Sequence, residues 1–420
     1  MKSTALAVTV GGSHEPIVAA IESVTPDFVL FICSNDDPVT GNKGSYTQIQ
    51  ASGKIIKAKF ADDKPTLENI PTQTGLSEDK FQVILVDSDD IDQAYASITA
   101  ELKTLTNEYD TVICDYTGGT KSMTSSLVLA AVDNEQVQIQ VVAGARGNLR
   151  KIENDLQSVQ AMNVGKTRFS NAFDHAIEYW QHYNYATALQ QLEALKTHNK
   201  EDQAQLQLAT FACKAFVAWD VFDHNSANTM LTTISKKLGK EHKVYLQQLG
   251  VLCSDSKVTM PSRILDLWRN AQRCAARGRY DDATSRVYRL LEWSSQWLLE
   301  HHQQISTDDI PEDKIPEGVN IPRNTRNGKY MAALVPGWEL AAATCGDDVE
   351  AYWGANKQKL LDMLEIRNHS ILAHGYTPIT DANWKKMSDF TEKSLLDFML
   401  AQFKAVGIKA MPTQLPQTWQ

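Results

Sequence analysis

About the first 160 residues alternate short apolar runs with amphipathic stretches. "TALAVTV" (4–10), "DFVLFICS" (27–34), "FQVILVDS" (81–88), "DTVICDY" (110–116) and "VQIQVVAG" (137–144) are the apolar runs. Two-sided runs of this kind suit strands of a parallel sheet buried on both faces. Between them, "EPIVAAIESV" and "KSMTSSLVLAAVDNE" have helical spacing. The alternation predicts a doubly wound α/β domain with a parallel sheet.

From about residue 168 the pattern turns helical and poor in Gly and Pro up to about 250. "NYATALQQLEAL" and "RYDDATSRVYRLLE" share a loose rhythm, but two matches so far apart are not a repeat array, so helical hairpins are predicted. The stretch 306–330 holds three Ile-Pro pairs and little periodicity, which predicts a long loop of the mobile or functional kind. Helical spacing resumes at 350 and runs nearly to residue 420.

Composition narrows the class. Hydrophobic content of 43% with 22% charged residues describes a folded globular chain of two or three domains. No apolar run approaches the ~20 residues of a membrane helix. "MKSTALAVTVGG" reads as a first strand and a tight loop, not a secretory signal. The six cysteines (33, 114, 213, 253, 274, 345) form no metal-spaced cluster and are expected to be reduced thiols of a cytoplasmic protein. The net charge of −10 argues against a nonspecific polyanion binder, so any positive charge for RNA or phosphate must be local. Residues 261–290 supply it, with seven arginines against three acids. Arg269, Arg273 and Arg277 recur every four residues, the spacing of one helical stripe. Such a stripe is either a solvated face or a lining for RNA.

Two strand-to-helix junctions carry candidate chemistry. In "GGSHEP", Gly11 and Gly12 allow a tight turn, Ser13 is placed to cap the next helix, and Pro16 suits its first turn. In "DYTGGTKSMT", Gly118 and Gly119 clear side chains away, Thr120 caps a helix and Lys121 starts it. Free backbone N–H groups plus a lysine make an anion site at the carboxyl ends of parallel strands. The arrangement is neither a Walker A loop nor a GxGxxG fingerprint, which places a nicotinamide or flavin enzyme last among the readings.

The third candidate is "RNHSILAHG", residues 367–375. Apolar positions 360, 361, 364, 371 and 372 predict one helix through it, ended by Gly375 and Pro378. Arg367 and His374 would then share a face about 10 Å apart along the axis, with His369 turned away. That gap suits neither a metal nor a catalytic triad. A two-fold pairing of this helix with its copy would set both pairs around one phosphodiester. The arginine would supply a permanent donor fork and the histidine proton transfer near neutral pH. A surface arginine and a capping histidine give the same spacing.

"DYTGGTKSMTSSLVLAA" resembles the ligand-loop signature of CRISPR-associated Rossmann-fold (CARF) sensor domains. "RNHSILAH" fits the Arg-x(4–6)-His motif of HEPN ribonuclease domains, with Asn368 as the polar residue after the arginine, and "RGRYDDATSRVYRLLEWSSQWLL" resembles an earlier HEPN helix. Together they resemble a type III CRISPR-associated ancillary ribonuclease of the CARF–HEPN family. The resemblance implies a Rossmann-like CARF domain (1–165), an all-α connector (166–258) and an all-α HEPN domain (259–420). It implies a homodimer that binds a cyclic oligoadenylate, cyclic tetra-adenylate before cyclic hexa-adenylate, as an allosteric activator. Gly12, Ser13, His14, Thr117, Gly118, Gly119, Thr120 and Lys121 would hold that ligand. Arg367, Asn368 and His374 would cleave single-stranded RNA without a metal or other cofactor, leaving a 2′,3′-cyclic phosphate. The second reading is a sensor or ring nuclease whose HEPN part mainly dimerises.

Overall fold

The computed structural model describes residues 3–36, 41, 44–50, 68–144 and 157–419, in two compact units, Met1–Asn171 and Ala172–Gln420. The first unit runs β1 (Thr4–Thr9), α1 (Glu15–Val24), β2 (Phe28–Ser34), α2 (Ile70–Thr74), β3 (Phe81–Val86), α3 (Ile91–Glu108), β4 (Thr111–Asp115), α4 (Lys121–Val132), β5 (Val137–Gly144) and β6 (Gln157–Met162). All five strands expected from the apolar runs are present. They form one sheet in the order β3-β2-β1-β4-β5-β6, parallel from β3 to β5. On one face Ala5, Leu30 and Cys114 pack with Ala94 and Ile98 of α3 and Met123 and Leu127 of α4, and on the other Leu6, Val8 and Phe31 pack with Ile17 and Ile21 of α1. Cover on both sides is why the central strands carry apolar residues at consecutive positions.

The edge strand β6 was not expected. It pairs antiparallel with β5, Val142 opposite Val159. Its sequence "QSVQAM" lacks a two-sided apolar run, because an edge strand is not enclosed on both faces.

The second unit is helical. α5 (Gly165–Gln181) leads into it, followed by α6 (Tyr185–Ala194), α7 (Lys200–Asp220), α8 (His224–Ile234), α9 (Lys243–Leu252), α10 (Thr259–Ala276) and α11 (Tyr280–Gln303). After a long loop come α12 (Leu334–Thr344), α13 (Asp347–Asn368), α14 (Asp381–Phe390), a π-helical turn (Thr391–Leu396) and α15 (Asp397–Phe403). Residues of α10 to α15 share one core that includes Trp268, Leu291, Trp338, Leu360 and Phe403. The last residues return to α5–α7, where the Trp419 ring lies 5.4 Å from that of Trp180, and the Tyr185 hydroxyl donates to the Pro416 carbonyl at 2.7 Å. The loop 306–330 is pinned rather than loose. Ile310 and Ile321 are buried in the core, and Ile310 and Arg323 both bridge to Tyr330. Among the described residues no helix is long and apolar enough to cross a membrane, and the six cysteines are free thiols.

Candidate functional site

In the first unit, the sheet order places β1 between β2 and β4, and α1 and α4 cover opposite faces, so the ends of β1 and β4 form the switch point beyond which α/β sheets hold their ligands. Both glycine pairs follow those strand ends. The Thr9 hydroxyl, fully buried, donates to the Gly118 carbonyl at 2.6 Å. A Cβ on Gly11 would stand 2.6 Å from the Gly119 nitrogen, and one on Gly118 would collide with the Thr9 carbonyl. The two loops therefore meet backbone to backbone, which any larger residue would prevent. Gly12 faces open space.

Around this clasp the remaining candidates take distinct places. Thr120 caps α4, its hydroxyl accepting from the Met123 amide at 3.3 Å and donating to the Ser88 carbonyl at 2.6 Å. Lys121 is the exposed first residue of α4, beside the free N–H groups of that turn. The Thr117 hydroxyl accepts from the Val142 amide at 2.7 Å, fixing the loop to β5. Ser13 was expected to cap α1, but the cap position belongs to His14, which makes no side-chain cap bond and lies 3.6 Å from the Glu15 carboxylate. Glu15 and Pro16 already fill the first turn, so the helix begins one residue later than a Ser13 cap requires.

Two supports of this clasp were not singled out from the sequence, Thr9 and Asp115. Asp115 ends β4 fully buried, accepting from the Thr117 amide and from Gln140 Nε2, both at 3.0 Å. Burial pushes its carboxyl above the usual range, against the lowering effect of those hydrogen bonds. An acid at the end of an otherwise apolar strand, directly before "YTGG", was the available signal.

At its other end α4 is gripped by Arg168. Its Nε donates to the Val132 carbonyl at 3.1 Å, and its Nη2 to those of Ala131, Asn134 and Val137 at 2.5, 3.0 and 2.8 Å.

In the second unit, α13 stops at Asn368, six residues short of His374. The chain then turns sharply. The amides of His374, Gly375 and Thr377 donate to the carbonyls of Asn368, Ser370 and His369 at 3.3, 3.1 and 3.0 Å. The expected shared helix face, with a 10 Å axial gap, is replaced by a fold-back that returns the His374 backbone to the helix end beside Arg367. Gly375 is thus no helix cap. It allows the chain to approach His369, whose carbonyl a Cβ there would strike. Ile371 and Leu372, which a helix would have turned inward, are 68% and 50% exposed.

Arg367 lies half-buried, its guanidinium 4.3 Å from the centre of the Tyr288 ring, and its Nη1 donates to Asn368 Oδ1 at 3.1 Å. The ring holds the donor plane in place, and its Nε has no protein partner. Tyr288, on α11, is the residue the sequence reading did not assign to this site. Burial first, then the Glu292 charge and hydrogen bond, push its phenol up, and the Arg367 and Arg289 charges pull the other way. Asn368 and His374 are exposed. His369 is tied to its own helix by Nδ1 donating to the Glu365 carbonyl at 2.8 Å. The group offers an oriented cation, a polar anchor and an accessible imidazole, which is what stabilising a charged phosphate and moving a proton require.

The stripe of Arg269, Arg273 and Arg277 exists but faces inward. Arg269 Nε donates to the Pro412 carbonyl at 2.9 Å. Arg273, fully buried, reaches Asp220 at 2.8 Å and Gln414 at 2.7 Å. Arg277 reaches Asp220 at 2.7 Å. It does not line a groove for RNA. Of the seven arginines of this segment only Arg279 and Arg289 are exposed, and each pairs with an acid.

Residues 255–396 match a family model described as the Csm6 HEPN domain. Among solved structures, Csm6 of Enterococcus italicus, bound to cyclic hexa-2′-fluoro-hexa-dAMP, aligns over 96% of this chain and 95% of its own, with a TM-score of 0.54 and 11% identity. Can2 of Sulfobacillus thermosulfidooxidans, in complex with cyclic tetra-adenylate, aligns over 55% of this chain and 68% of its own, with a TM-score of 0.26 and 13% identity, too slight a likeness to carry weight. Comparison with curated proteins finds no match.

Proposed function

We propose, from the premise that this chain belongs to the CARF–HEPN family of type III CRISPR ancillary proteins, that it is a cyclic oligoadenylate-activated endoribonuclease. The observation that carries this reading is the gathering of Arg367, stacked on Tyr288, with Asn368 and His374 at one helix end, inside the segment that matches the HEPN model. The sensor would span 1–165, the connector 166–258 and the nuclease 259–420. In the sensor, Gly12, Ser13, His14 and Thr117 to Lys121, beyond the ends of β1 and β4, would hold the ring's phosphates and riboses. Two chains would pair, so that one ring spans two sensors and two HEPN groups face one RNA strand.

The chemistry needs only groups this chain has. The 2′-oxygen of a single-stranded RNA attacks its neighbouring phosphorus, and a His374 imidazole takes the proton. The P–O5′ bond breaks, the second copy's imidazole returns a proton to the leaving oxygen, and a 2′,3′-cyclic phosphate and a 5′-hydroxyl remain. Arg367 donates to the phosphate oxygens as charge builds on them. No step calls on a metal.

The test is cleavage of labelled single-stranded RNA in EDTA, with and without cyclic tetra-adenylate or cyclic hexa-adenylate. The tetra-adenylate ring is the favoured activator, and the hexa-adenylate arm matters because the Csm6 neighbour is bound to cyclic hexa-2′-fluoro-hexa-dAMP. His374→Ala and Arg367→Ala should each lose at least about 10²-fold in rate, in the range that removal of a general acid–base group or of a charge-stabilising donor causes, while still binding the ring. Activity within a few-fold of wild type in either variant would sink the assignment. His369→Ala is the internal control and should retain much of its activity.

A further inference from the structure

A second concave site lies in the helical unit, lined by none of Arg367, Asn368 and His374. It is a cavity of about 400 Å³ bordered by Phe222, Asp223, His224, Met260, Arg263 and Trp293. The Phe222 and Trp293 ring centres are 6.1 Å apart at 59°, and the His224 ring stands 4.9 Å from Phe222. The Arg289 guanidinium lies 5.3 Å from the Trp293 ring. Arg263 is held at the wall by Nε and Nη2, both donating to the Leu252 carbonyl at 3.2 and 3.0 Å.

The site is braced from behind. His224 Nε2 meets the buried Asp266 carboxylate at 3.0 Å, and the same carboxylate accepts from Trp219 Nε1 at 3.1 Å. Asp223, the one acid in the lining, is engaged in capping α8 through the Ser226 amide at 3.1 Å. Phe222 itself has φ +66°, a left-handed backbone that glycine would adopt at less cost. That conformation belongs to the turn that ends α7, where the Asp223 amide donates to the Ala218 carbonyl at 2.9 Å, and it brings the Phe222 ring to the rim of the cavity.

We infer that this cavity takes one unstacked nucleotide of the RNA strand being cleaved, its base against the Trp293 and Phe222 rings and its phosphate toward Arg263. Flat aromatic faces beside guanidinium groups are how single strands are held without base-specific bonds. The volume lies near the small end of ligand pockets, enough for one nucleotide and too little for a duplex. A strand, and not a free nucleotide, is the occupant because α11 carries both Trp293 and Tyr288, the ring beneath Arg367. They stand five positions apart, about 7.5 Å along the axis, some two stacked-nucleotide rises. They are also turned roughly 140° around the helix. A strand touching both must bend around α11, which unstacks its bases. This inference rests on the ribonuclease reading above.

The test uses the full chain carrying His374→Ala, so that RNA stays intact, with activator present and a labelled 12-nucleotide single strand followed by anisotropy. Adding Trp293→Leu, which keeps apolar bulk but removes the π face, should weaken binding about 5- to 150-fold, the worth of one stacked base. Trp293→Phe should stay within about threefold of the parent, a rescue that a purely structural role would not require. Arg263→Gln should weaken binding independently, which keeps the test open if a Trp293 variant folds poorly by circular dichroism. With His374 restored, Trp293→Leu should raise KM for RNA and leave kcat unchanged. Equal RNA affinity in the parent, Trp293→Leu and Arg263→Gln proteins would overturn the subsite alone. Free AMP quenching tryptophan fluorescence in the parent but not in the Trp293→Leu protein, without competition from RNA, would overturn the choice of occupant. No RNA binding by the parent would remove the ribonuclease reading with it.

Discussion

Asp220, at the end of α7, gathers the charges of two arginines. Its carboxylate accepts from Arg273 and Arg277, and Asn270 Nδ2 donates both to that carboxylate and to the Asp220 backbone carbonyl. Burial by itself would raise the carboxyl, but the charges and hydrogen bonds of Arg273 and Arg277 outweigh it and hold it below the usual range. A carboxyl held below its unfolded value contributes stability that is full above about pH 4 and lost as the pH falls through the folded value. Asp220→Ala should therefore cost about 3–5 kcal/mol in urea unfolding at neutral pH, since it strands a buried guanidinium. The wild type should lose part of its stability below about pH 4, and the variant should lack that step. A variant as stable as wild type would remove Asp220 from this role. The four-residue spacing made the arginine stripe legible in the sequence. Its direction was not, because Asp220 and Gln414 lie 53 and 141 residues from Arg273.

α4 is held at both ends by groups that sequence reading found unequally. The Thr120 cap and Lys121 lie within one local motif and were legible, whereas Arg168 meets the last carbonyls from 31 to 37 residues away. The same contrast separates β1 to β5, marked by two-sided apolar runs, from the edge strand β6. It also explains α13, since periodicity continues through Ile371 and Leu372 although both are exposed in a turn. An apolar pattern records spacing and not which side meets solvent. We propose Lys121 as a phosphate contact, so Lys121→Ala removes one charge-assisted bond from each copy of a dimer, each worth about 1.5–3 kcal/mol. The ligand concentration for half-activation of RNA cleavage should rise by roughly two to four powers of ten, with a similar plateau. A lowered plateau at unchanged midpoint would assign the loop to the scaffold.

At the scale of the whole molecule, the α/β-then-helical order was legible from periodicity, and the sensor and nuclease readings came from two short motifs. A homodimer formed before any ligand arrives is the matching expectation, since a two-fold axis would supply both halves of each site. Sedimentation of the ligand-free chain at micromolar concentration should find dimers, and a stable monomer would count against both sites at once. The inward arginines have one more consequence. A guanidinium that is buried or paired with a carboxylate displaces little cation from a nucleic-acid backbone. With a net charge of −10 and those arginines enclosed, bulk RNA gains little counterion entropy by settling on this protein. Its hold on a strand then depends on stacking and on the few exposed cations near the cut, and falls only gently as salt rises.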